Sequence, residues 1–189
     1  MLDRVLPVCT ALAGFAHDDM TRDDTWRFLM MGRQLERITF LSALTTQTLA
    51  LSDQDLDLVL DAVLEIGNVT MTYRARYQRQ PELLPVVDLL VLDESNPHSV
   101  SFQLAALCEQ LQQVKTRLGF APLNDLRSLL QALRGLDLGI LESLRALPQD
   151  APHAALLAAC ERCAYGLSDE LTQRFFIHAG ERPQANVAA

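Results

Sequence analysis

Residues 21–50 set the strongest limit on the fold. They contain no proline and a single glycine, Gly32, and their apolar residues keep a helical rhythm. Thr21 followed by Asp24 has the form of a capping box, and acidic residues in a first turn suit the helix dipole. Phe28, Met31, Leu35, Ile38, Ser42, Thr45 and Leu49 recur at three- and four-residue steps, drawing one stripe along the helix. At roughly 100° per residue, Trp26, Arg33, Arg37 and Leu44 fall on the opposite side. A helix with large groups on both sides is expected in the middle of a bundle.

The remaining sequence supports the same class. The 189 residues are 49% hydrophobic, enough to bury a sizeable core in one domain. With only 21% charged residues, extensive disorder is disfavoured. Leu and Ala dominate, which favours an all-α fold. The expectation is one helical domain over residues 1–180, an antiparallel bundle of about six or seven helices, with a frayed tail at residues 181–189. Apolar runs fall short of the roughly 20 residues a bilayer needs, so no membrane span is expected. Met1 to Gly14 lacks a basic leader and a long apolar core, so a cytoplasmic location is expected. The net charge of −8 with dispersed arginines argues against nucleic acid as a partner.

Local signals divide the chain. Met1–Phe15 reads as a short helix ending near Gly14. Ser52 with Asp55 repeats the capping-box form and opens a helix through about Tyr77, weakened at Gly67-Asn68. Pro81 and Pro85 bracket a turn, and Val86–Leu92 follows as a short apolar helix carrying one charge, Asp88. Asn96 is placed to cap a helix from Pro97 to about Leu118, stopped by Gly119. Helices from Pro122 to about Leu147, interrupted near Gly135 and Gly139, and from Pro152 to about Ala179 complete the order.

Three groups of residues carry recognisable motifs. Trp26-Arg27-Phe28-Leu29-x-x-Gly32-Arg33-x-x-Glu36-Arg37 is the first. The second is Tyr73-Arg74-x-Arg76-Tyr77, then Pro85-Val86-Val87-Asp88-Leu89-Leu90 and Leu92-Asp93-x-x-Asn96-Pro97, continuing through Ser99 and Phe102-Gln103-Leu104. Phe175-Phe176-x-His178 is the third. Together they resemble the alpha-E family of bacterial helical domains, with His98 standing where an arginine is usual. The family domain typically begins with an earlier segment bearing its own Gly-Arg and Glu-Arg pairs, so the resemblance is to its C-terminal part. Family members occur fused to, or encoded beside, circularly permuted ATP-grasp and transglutaminase-like proteins. The resemblance therefore implies an accessory module of a system that makes or modifies amide bonds, with such a protein as partner.

The residues themselves leave the role open. Glu36 can bridge an arginine at i−3 on one helix turn, so Arg33, Glu36 and Arg37 read as a structural ion network or as an anion-binding patch. Tyr73, Arg74, Arg76 and Tyr77, together with Asp88, Asp93 and Asn96, read as a brace around the Pro81–Pro97 hairpin or as a recognition surface. Trp26 joins the first group. Asp88 needs a cation or donors, and Arg74, Arg76 and Arg79 are the nearest supply, ahead of Arg33 and Arg37. Cys160 and Cys163 spell Cys-x-x-Cys, but core packing accounts for them at helical spacing, and no metal site is expected. His98 and His178 lack a nucleophile at a recognisable motif spacing. No cofactor and no catalytic residue is expected of the domain alone, and a structural self-association domain is the remaining alternative.

Overall fold

The path of the chain follows from where each helix finds its caps. A computed structural model describes residues 2–118, 123–139 and 152–176. The expected stop at Gly119, the helical stretch expected from residue 140 to about Leu147, His178 and the tail at residues 181–189 lie outside them, while the interruption expected near Gly135 is present, directly after Arg134. The described residues form eight α-helices and one π-helical turn, with no strand. Among them, no helix is long and apolar enough to cross a membrane.

α1 (Leu2–Asp18) runs through Gly14 rather than stopping there. Its last carbonyls are held from outside: Trp26 Nε1 donates to Ala16 O at 2.8 Å, and Arg22 donates to the Ala16 and His17 carbonyls. Such donors satisfy orphan groups that would otherwise fray the end. α2 (Asp24–Leu49) starts two residues later than the Thr21 signal implies. Asp23 is its cap, accepting from Trp26 N at 3.0 Å, while Thr21 O is taken by Asp23 N in a preceding turn.

α3 (Asp53–Ile66) has the expected Ser52 cap. It ends outright at Gly67, where a local bend was expected, and α4 (Thr70–Tyr77) restarts the helix. The break is a packing requirement. A Cβ at Gly67 would lie 2.7 Å from Leu90 Cδ2, and Asn68 takes a left-handed conformation at φ 56°. α5 (Leu83–Val87) passes into the π-helical turn Asp88–Leu92, not the single short helix expected over Val86–Leu92. The wide turn buries Leu89, Leu90 and Val91 together. α6 (Val100–Leu118) is capped by Ser99, whose Oγ accepts from Phe102 N at 3.1 Å. Asn96, the expected cap, is buried at 5% exposure, and its Nδ2 donates to Leu89 O at 2.7 Å. It satisfies a carbonyl of the π turn, a buried group that water does not reach.

α7 (Leu123–Arg134) and α8 (Pro152–Phe175) complete the order. α2 packs chiefly against α8 and α6 and is the bundle's centre, as its two-sided pattern predicts. The side-chain contacts show its neighbours to be antiparallel. Arg27 meets Gln110 and Arg37 meets Pro97 on the α6 side, while Phe28 packs on Phe175 with ring centroids 4.9 Å apart. Met31, Leu35, Ile38, Ser42, Thr45 and Leu49 are buried as the stripe requires, and Phe28 is half-buried at its end.

Candidate functional site

The sequence-predicted residues divide among separate places. Trp26 belongs to the α1–α2 corner, its indole under the Arg22 guanidinium at 4.3 Å. Arg74 faces a small recess with Asp61, Leu64, Tyr73, Arg79, Gln80 and Pro81. The larger groups are a hairpin brace, a groove along α2, and a basic cluster where α2 meets the start of α6.

The brace gathers the second motif. Tyr73, at 0% exposure, donates from Oη to Gln80 O at 3.2 Å and accepts from Glu82 N at 3.0 Å. Its ring packs on Tyr77 with centroids 4.8 Å apart. Arg76 does not reach Asp88. It pairs with Asp93 at 2.5 Å and donates to Ser95 Oγ. Asp93 also accepts from Ser95 N and Oγ, at 2.9 and 2.6 Å. Burial raises the Asp93 carboxyl, but the bonds from Ser95 and Arg76 outweigh it and hold the group below the usual carboxylate range.

Asp88 accepts instead from Tyr77 Oη at 3.4 Å, which corrects the expectation of an arginine partner. Burial, reinforced by the nearby Asp93 charge, pushes Asp88 above its ordinary range. The antiparallel return does bring α4 and the π turn together, as the sequence implies. It offers Arg76 to the first carboxylate past the turn, not the one inside it. This network is closed on itself, which is how a brace behaves.

Glu36 corrects the other charge expectation. It is exposed and, among the described residues, makes no hydrogen bond or ion pair with Arg33, Arg37 or any other group. Glu36 and Arg33 line an open groove between α2 and α8 of about 810 Å³, with Leu29, Phe40, Glu161, Tyr165 and Ser168. Phe40 and Tyr165 are 51% and 56% exposed there. The apolar floor continues past Phe28 and Leu29 to Phe175 and Phe176. The α8 residues of this groove were not singled out by sequence. Their signal was available: Glu161, Tyr165 and Ser168 sit at i, i+4 and i+7, one face of a helix.

Arg37 points the other way, toward α6, where its Nη1 donates to Pro97 O at 3.3 Å. His98 lies beside it, with Nε2 3.4 Å from Asn68 Nδ2. Burial and the adjacent Arg33 charge lower the Arg37 pKa; burial and Arg37 lower that of His98. Arg33, Arg37, Arg76 and Asp88 do not line a common cleft among the described residues.

Cys108, Cys160 and Cys163 pack in or against the core, whereas Cys9 is exposed. Cys160 is buried and its thiol is pushed up to about 12 by burial and by Cys163. Cys9, Cys108, Cys160 and Cys163 are all unbridged. Among the described residues, no group of three or more His, Cys, Asp or Glu side chains is arranged to hold a metal ion.

Among the described residues, helices without strands, a closed polar brace and an open, largely apolar groove define an all-α bundle domain. Residues 1–176 match the Alpha-E family, described as a predicted alpha-helical domain with a conserved ER motif, and the chain belongs to that family. Relatives include uncharacterised proteins of Mycobacterium bovis and Mycobacterium tuberculosis, each 28% identical over 105 residues. The aligned stretch is 54% of this chain and only 12% of those relatives' length. No solved structure matches the chain.

Proposed function

We propose that this domain is a cytoplasmic accessory module that docks a circularly permuted ATP-grasp or transglutaminase-like protein in a system that makes or modifies amide bonds. The α2–α8 groove carries the reading. It exposes Leu29, Phe40 and Tyr165 in one groove bordered by Arg33, Glu36 and Glu161, and exposed aromatic patches of this kind mark protein-binding faces. Tyr73, Arg76, Tyr77, Asp88, Asp93 and Asn96, which a substrate cleft would need, are spent on holding the hairpin together. Alignment to a short stretch of much longer relatives fits a module working beside other domains. Four unbridged cysteines fit a reducing compartment. Resemblance to alpha-E domains supplies the class of partner.

The test is to mix the purified domain with an ATP-grasp or transglutaminase-like protein encoded beside it and to measure binding by calorimetry. A complex is expected, weakened at least about tenfold by Phe40→Ala, a change of surface area that leaves the fold intact. Absence of a complex with either class of protein, or native affinity in Phe40→Ala, overturns the reading.

A further inference from the structure

α1 joins the bundle only through its last turn. Ala16 is 1% exposed where Trp26 and Arg22 hold its carbonyl. From Val5 to Phe15, in contrast, every residue is exposed except the half-buried Ala13. Val5, Leu6, Val8, Leu12 and Phe15 are 47–67% exposed, an unusual concentration of large apolar groups on one short element. At about 100° per residue, Val5, Val8, Leu12 and Phe15 fall on one side of α1, and Pro7, Thr10 and Gly14 on the other. Thr10 turns its hydroxyl back to the Leu6 carbonyl at 2.9 Å, so this polar group is satisfied within the helix. A helix of eleven uncovered residues is marginal in water by itself, and Pro7 and Gly14 weaken it further. A surface that covers the stripe therefore stabilises α1.

The stripe is built to be covered by its own copy. Its residues recur at steps of three, four and three, an order that reads the same from either end. A twofold axis level with Thr10 then sets Val5 of one copy level with Phe15 of the other, and Val8 level with Leu12. Each pair joins a smaller side chain to a larger one, and a twofold contact needs such self-complementarity. Charge favours the same approach. Two chains of net charge −8 repel each other, but Val5–Phe15 carries no charged residue, so they meet there without apposing like charges. The absence of Lys and Arg from this stretch also gives an anionic lipid surface nothing to hold. Side chains at these exposures offer roughly 400–500 Å² per copy, so pairing removes about 800–1,000 Å² from water. That is the size of a weak, concentration-dependent dimer, not an obligate one.

We propose that two copies of this chain pair antiparallel through the Val5, Val8, Leu12 and Phe15 face of α1. Among the described residues, α1 lines no part of the α2–α8 groove, so this dimer and the docking reading stand or fall separately.

Sedimentation equilibrium of the full chain tests the proposal. Between about 5 and 500 µM, a reversible passage from one chain to two is expected. Val8→Glu and Leu12→Glu are each expected to weaken it at least about tenfold, and Leu58→Glu, at an 81% exposed position on α3, to leave it unchanged. Thermal melting at low concentration checks that each variant keeps the bundle. The antiparallel pairing sets both Cys9 side chains on the same edge of the pair, at the roughly 8–10 Å spacing of packed helices. A short bismaleimide is therefore expected to join two copies through Cys9, and Cys9→Ser to stop the cross-link without altering the dimer. Should one glutamate variant fail to fold, the other and the cross-link decide the matter. A chain that stays single at 500 µM overturns the proposal, including one that instead binds phospholipid vesicles through Leu12. So does a dimer of wild-type strength in Val8→Glu and Leu12→Glu, or one that does not cross-link through Cys9.

Discussion

Removing one oxygen atom, by Tyr73→Phe, separates a brace from a recognition surface. The ring stays, so its packing against Tyr77 at 4.8 Å and its burial in the core are preserved. Two hydrogen bonds go, the one to Gln80 O and the one from Glu82 N, both part-buried. A net hydrogen bond contributes about 0.5–1.5 kcal/mol, and a buried group left without a partner costs about 1–3 kcal/mol. Water can reach part of the turn at residues 78–82, so the lower end of that range applies, about 1–1.5 kcal/mol for each of the two groups, and the total is about 2–3 kcal/mol. For a domain of this size each kcal/mol shifts Tm by roughly 2–4 °C, giving a fall of about 4–12 °C. Urea and thermal unfolding followed by circular dichroism measure it. Tyr77→Phe, which loses only a 3.4 Å contact to Asp88, should cost less than about 1 kcal/mol. A Tyr73→Phe protein that melts like the wild type but fails to bind its partner would refute the brace and put Tyr73 in a site.

Three further outcomes follow from the same geometry. Asp88 has its pKa raised, so folding favours its protonated form; its contribution to stability is greatest in acid and is lost as pH rises through the carboxylate range. Asp88→Asn, which still accepts from Tyr77, should therefore match or exceed wild-type stability at pH 7, and a clear drop in urea midpoint there would contradict this. Ser42 is fully buried and its hydroxyl has no partner among the described residues, so Ser42→Ala should be neutral or stabilise by up to about 1 kcal/mol; a loss above that would show that the hydroxyl has a partner. Cys9 is exposed whereas the Cys160 thiol is buried and pushed to about 12, so a maleimide should label Cys9 in the native protein and reach Cys160 only on unfolding. Mass spectrometry showing comparable labelling rates for the two would remove the basis for placing Cys160 in the core.

Much of the helical order could be read directly because it depends on neighbours in the chain. The α2 stripe, the Ser52 cap and the weak point at Gly67-Asn68 depend on spacing and local backbone preference, which a sequence displays, whereas the close approach of Leu90 turns that weak point into a full break. The all-α class and the motifs that place the chain in its family were legible for the same reason. Which of two candidate caps is used was not, because a cap is chosen by what else wants the side chain. Asn96 Nδ2 ties to Leu89 O while its Oδ1 accepts from His98 N in the preceding turn, and the helix proper begins one turn later, capped by Ser99.

Charge pairing was decided by tertiary structure alone. Sequence brings α4 opposite the segment after Pro81, but only the wide π turn sets which carboxylate Arg76 meets. It takes Asp93, leaving Asp88 to Tyr77. Likewise, adjacency in Glu36-Arg37 says nothing of direction. The helix turns about 100° between them, and packing sends Arg37 to α6 while Glu36 faces the α8 groove. A helix pattern tells which residues share a face; which neighbour covers that face, and what it leaves open, is set by long-range contacts that no local preference encodes.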